Sequence, residues 1–143
     1  MSGKGATFEN SLLKLIFNAS AIANIADNAA SSPLTYLYVS LHTADPGPSG
    51  NQTTSEATYT SYVRVAVART SSGWTVSGNS VSPNATITFP TATGGSETET
   101  YAAIGIASSG TGEVLYSGAI APNIVVSNGV TPQLPTGSTI TES

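Results

Sequence analysis

The pattern of apolar and polar positions changes period once along the chain, at Pro33. Before it, Phe8, Leu12, Leu15, Ile16, Ala19, Ile22, Ala23 and Ala26 recur at the three- and four-residue intervals of one helical face. The spacing predicts a helix over residues 7–30, with Thr7 at its start and Asn28 and Ser31-Ser32-Pro33 at its end. Leu13 and Phe17 fall off that stripe, so the apolar surface is broad. Such a helix either packs on the protein's own sheet or is shared with another subunit. Residues 1–6 (MSGKGA) are small and read as a flexible arm that a partner could order.

After Pro33 the period becomes two. Leu37, Val39 and Leu41 face one way, and Tyr36, Tyr38, Ser40 and His42 the other. Ala44-Asp45-Pro46-Gly47-Pro48 is a turn, and Ser49 to Tyr59 reads as a polar loop. In the next run Val63, Val65 and Val67 alternate with Tyr62, Arg64, Ala66 and Ala68. Trp74 and Val76 share a face, and Pro83 interrupts the run from Ser80 to Phe89, as at an edge or bulge. Further short runs follow around Tyr101–Ile106, Val114–Ala121, Ile124–Val126, Val130–Leu134 and Ser138–Thr141, separated by turns such as Asn128-Gly129. About eight or nine short strands at this spacing predict a mainly β chain, a jelly-roll-like antiparallel β-sandwich over residues 34–143 behind one N-terminal α-helix. The expected core is Leu37, Val39, Leu41, Val63, Val65, Val67, Trp74, Ile87 and Phe89.

The length of 143 residues suits one domain. The composition changes the picture more than the length does. Only 8% of residues are charged, against about 25% in a typical globular protein. Thr, Ser, Asn and Gly take the place of charges, and neutral polar groups cost less to desolvate than ions. That surface suits permanent burial against neighbours or exposure outside a cell. With four Lys+Arg against eight Asp+Glu and a net charge of −4, nucleic acid is not an expected partner. The chain contains no cysteine, which excludes thiolate metal sites, disulfides and Cys nucleophiles. No run reaches the ~18 apolar residues of a membrane span, and no secretory signal is evident, so synthesis in the cytoplasm is expected.

Candidate chemistry is sparse. The single histidine, His42, has no second His or Cys to complete a triad or a metal site, and reads as a partly exposed strand residue or a hydrogen-bonded interface residue. Ser108 and Ser109 lack the G-x-S-x-G frame of a nucleophile elbow and suit a hairpin loop. Glu97 and Glu99 share a strand face but read as an exposed strand end, not a hydrolytic pair. Asp45, Glu56, Glu97 and Glu99 have no calcium-loop spacing. No enzymatic activity, metal or cofactor is expected. The candidate partner-binding residues are Arg64, Arg69, Tyr62 and Lys4: Arg and Tyr are enriched at interfaces, Arg grips carboxylates with two bonds, and Lys4 lies in the arm.

The ordered pieces LYVSLHTADPG, SYVRVAVART, GWTVSGNSVSPNATITFPTATG, Y-x-x-I-G-I, GEVLYSGAI and NGVTPQLPTG resemble those of small virion proteins of tailed bacteriophages and prophages, the tail-fibre and minor structural proteins. The resemblance spans residues 7–140 and implies a non-enzymatic β-sandwich component of the virion. Two locations follow from it. One is a head decoration or cement protein that binds the major capsid protein over capsomer junctions as a homo-oligomer. The other is a tail or tail-fibre component engaged in assembly or host-surface binding. A short single domain, no fibrous repeat, one Trp and 7% aromatics favour the head. A lectin-like binding module is a third reading.

Overall fold

The structure is a computed structural model that describes residues 3–22, 25–26 and 32–143. Its elements are α1 (Ala6–Asn18), β1 (Tyr36–His42), β2 (Val65–Ala68), β3 (Trp74–Ser77), β4 (Ser80–Pro83), β5 (Ile87–Thr88), β6 (Glu97–Gly105), β7 (Val114–Val126), β8 (Gln133–Leu134) and β9 (Ile140–Thr141). The chain is mainly β, with antiparallel sheets and a helix at its N-terminal side, the class expected of it. The described residues form two compact units. One draws on the segments up to Tyr36, Ala68–Thr86 and Pro135–Ser143, the other on Leu37–Val67 and Ile87–Leu134.

The first unit joins α1 to the sheet β3-β4-β9. The helix is shorter than its apolar spacing implies and turns a different face inward. Leu13 and Phe17, the two residues off the expected stripe, are its buried ones, and Phe17 meets Trp74 edge-on at 4.8 Å between ring centres. Phe8, on the expected stripe, is exposed. The N-cap is Gly5, without a side-chain cap, and Thr7 lies inside the helix. At the other end Ala19 turns left-handed (φ 53°, ψ 32°) and Ser20 N–H returns to Lys14 O. The Arg69 guanidinium then takes the helix's terminal carbonyls. Its Nη2 donates to Leu15 O at 2.6 Å, its Nε to Ile16 O at 2.7 Å and its Nη1 to Leu34 O at 3.1 Å. A further turn of helix would need those same carbonyls, so the helix stops at Asn18 instead of reaching residue 30. Residues 23, 24 and 27–30 of the expected helix lie outside the described residues. So do Met1 and Ser2 of the expected arm, whose Lys4 pairs with Glu142 at 2.8 Å.

The second unit contains the sheet β2-β1-β6-β7 and the small pair β5-β8. In β1 the expected inward residues Leu37, Val39 and Leu41 are buried, but so are Ser40 and His42, which alternation assigns to a wet face. The polar stretch after the Pro46 turn explains the difference. Thr43 N–H bonds Ser55 O, Ala57 N–H bonds Leu41 O, and His42 bridges to Glu56, so this stretch is fastened along the end of β1. Trp74, Ile87 and Phe89 are buried as expected, whereas Val65 and Val67 are half-buried. Val63 is 59% exposed and Arg64 only 8%, which reverses the expected facing. Ser61 has a positive φ of 82° and strand structure resumes only at Val65, so the alternation breaks ahead of Arg64.

Candidate interaction surface

Arg64 faces inward because every group it meets is an acceptor. Its Nε and Nη2 grip Glu56 Oε1 and Oε2 at 2.7 and 2.9 Å, a two-pronged pair with little water access. Its Nη1 donates to Ala107 O at 2.9 Å and Nη2 donates also to Gly110 O at 2.7 Å, both in the loop between β6 and β7. The hydrogen bonds to Glu56 hold the guanidinium charged. Tyr62 completes the network: its hydroxyl donates to Glu56 Oε1 at 3.0 Å and accepts from Leu41 N–H at 3.1 Å. Burial keeps that phenol protonated well beyond its ordinary range.

The same loop is held from its other side by Gln52. This buried side chain accepts from Ala107 N–H at 3.0 Å and donates to Tyr38 O at 3.4 Å, while its backbone N–H bonds Gly112 O at 2.9 Å. It fits because Gly105 and Gly112 have no side chain. A Cβ on either would stand 2.1 Å from the Gln52 amide. His42 is held equally firmly. Its Nδ1 donates to Thr54 O at 2.8 Å, leaving Nε2 to accept from the Ser40 hydroxyl at 2.8 Å. Burial pulls its pKa down, partly opposed by the Thr54 carbonyl and the Glu56 charge. A carbonyl stands where a triad would place a carboxylate, and both Ser40 and His42 are fully enclosed.

The candidate partner-binding residues are divided between the two units, Arg64 and Tyr62 in the second and Arg69 and Lys4 in the first. Arg64 and Tyr62 share a network, Arg69 caps α1, and Lys4 pairs with Glu142. Each of the four directs its polar atoms to contacts within its own unit. Glu97 and Glu99 differ from the expected exposed strand end, since Glu99 is completely buried.

The accessible feature of the second unit is β7. It ends the strand order of its sheet, so its outer edge carries main-chain groups unpaired within the sheet. It runs for 13 residues without a charged side chain. Ser117, Gly118, Ala119, Ala121, Pro122, Asn123 and Val125 are exposed. Its pairing with β6 shifts register at two places: Leu115 is passed over between the pairs Ile104–Tyr116 and Gly105–Val114, and Ala119 faces Tyr101 while Ile124 faces Glu99, so Ile120–Asn123 bulge out opposite Thr100. The signals for this arrangement were the glycine inside Y-x-x-I-G-I, which marks a close approach, and the neutrality of the run VLYSGAI. Gln52 and Glu56 sat in a polar loop with no local signal of their roles.

A family model described as Podophage GP4 fiber I protein gp80 matches residues 6–142. The chain belongs to this family. The match covers both units and every element from α1 to β9. No curated protein matches the chain. Membership makes this a phage structural protein of the virion, in agreement with the resemblance seen in its motifs. The fibre family corresponds to the tail-fibre alternative and lends no support to the head-cement location that the sequence favoured. Among the described residues no helix is long and apolar enough to cross a membrane.

Proposed function

We propose that this gp80-family protein is a non-enzymatic fibre subunit of the phage particle, working by neutral main-chain and side-chain contacts with neighbouring virion subunits. The observation that carries this reading is the long, charge-free and exposed β7 edge, supported by loops fixed from within by Arg64, Glu56 and Gln52. An edge strand without charges is a template for pairing unless something covers it. A rigid backbone beneath it lowers the ordering cost of association. The chemistry of the interior agrees. Its arginines, its histidine and its buried glutamine are engaged in structural bonds.

Incorporation into particles tests the reading. Ser117→Lys with Val125→Lys places charge on exposed positions of β7 while leaving the interior untouched. The doubly substituted protein should fold with wild-type stability and fail to enter fibres. Full incorporation would overturn the role of the edge. Because the contacts are neutral, retention of the wild-type protein on purified particles should change little between low and high salt.

A further inference from the structure

Glu99 has full burial and neither carboxyl oxygen receives a hydrogen bond among the described residues. An ionised carboxylate in that state would carry the whole cost of losing its water. Its neighbour on the same face, Glu97, is placed very differently. Glu97 Oε1 accepts the N–H groups of Thr58 at 2.8 Å and Tyr59 at 2.9 Å, and Oε2 accepts the Thr58 hydroxyl at 3.0 Å. Burial raises the Glu97 pKa, but the Glu99 carboxyl beside it and the bonds from Thr58 and Tyr59 outweigh this and hold it below the usual range. Two acceptors side by side lack one thing that would join them, a hydrogen.

We propose that Glu97 and Glu99 form a proton-binding carboxyl–carboxylate pair in which Glu99 holds the proton at neutral pH and donates it to Glu97. The pair fastens β6 to the Thr58–Tyr59 segment, because the same Glu97 carboxylate accepts from both. Burial, then the bond and charge of Glu97, push Glu99 up to about 8. Among the described residues, the groups named as facing the pair offer no other compensation. Glu97 lies on β6 itself, and the Thr58–Tyr59 segment supplies Tyr59, whose hydroxyl donates to Pro90 O. Opposite on β7 stand Ile124 and Val126, which do not titrate. A metal ion is the less fitting occupant, since no group of three or more metal-binding side chains occurs among the described residues. The unfolded chain releases this proton near pH 4.5 and the folded chain near 8. Between those values folding takes up a proton, so stability falls as pH rises.

Two measurements on the full-length protein test the pair. The first is the infrared difference between wild type and Glu99→Gln at neutral pH. A protonated-carboxyl stretch should be present in the wild type, disappear above pH 8 to 9, and be missing from the variant. The second is the thermal midpoint from pH 5 to pH 9. The wild type should lose several degrees across that range, and Glu99→Gln, which keeps a donor but has no proton to release, should lose much less. Absence of the stretch at neutral pH would overturn the proposal. So would an equal decline in the two proteins, or recovery of the alkaline loss on adding calcium, which would make a cation the occupant.

Discussion

At the scale of single residues, the two arginines have definite places. Arg64 and Glu56 form a largely enclosed pair whose other donors close a loop. Removing one partner of such a pair leaves a buried charge, which costs about 3–5 kcal/mol. Arg64→Ala should therefore lower stability by an amount of this order, measured by urea unfolding. Arg64→Lys should recover little of it, since an ammonium cannot reproduce the two-pronged grip. His42 makes an opposite kind of statement. It is buried neutral, with its pKa below the ordinary 6.5. Below pH 6.5 the unfolded chain binds a proton that the folded chain resists, so this residue's contribution to stability is lost on acidification. Nitrogen NMR of the imidazole should show the Nδ1–H tautomer persisting to pH values below 6.5. A midpoint at or above 6.5 would contradict the enclosed geometry.

At the scale of elements, what was legible in the sequence was local and what was not was long-range. The alternation in LYVSLH gave β1, and Ser72-Gly73 and Gly78-Asn79 gave the turns around β3 and β4. Leu37, Val39, Leu41, Trp74, Ile87 and Phe89 were assigned correctly to the interior because burial follows alternation in short strands. The end of α1 was hidden because its cause, Arg69, lies 53 residues from Ile16 in the chain. The inward turn of Arg64 was hidden likewise, since hydrophobic alternation cannot register a distant acceptor at Ala107 or Gly110. Arg69→Ala should fray the last turn of α1 and cost about 1–2 kcal/mol, as expected for a cation at a helix C-terminus. Amide exchange in α1 would report it, as faster exchange near Phe17 and Asn18. Gly105→Ala should be worse than an ordinary strand substitution, because its methyl would overlap the Gln52 amide at 2.1 Å. Adding Gln52→Ala should restore part of the loss, and no restoration would contradict the notch.

At the scale of the whole molecule, the composition and the edge strand lead to one account. A chain with 8% charged residues has little means of electrostatic steering and much neutral polar surface. Its Arg64–Glu56 pair is enclosed, and its exposed strand edge is neutral. That division of labour suits a subunit surrounded by others in a fibre, where many weak contacts act together. Membership of the gp80 fibre family fits this division, and the motifs that suggested a virion protein cover nearly the same residues as the family match. Their limit was location: a short chain with few aromatics describes a head protein and a fibre protein equally well. The most direct measurement is a cryo-electron microscopy map of the intact particle. The account predicts density for this chain within a fibre, with Ser117–Val125 of β7 against a neighbouring subunit. Density over the head shell, or a β7 edge facing solvent in every copy, would contradict it.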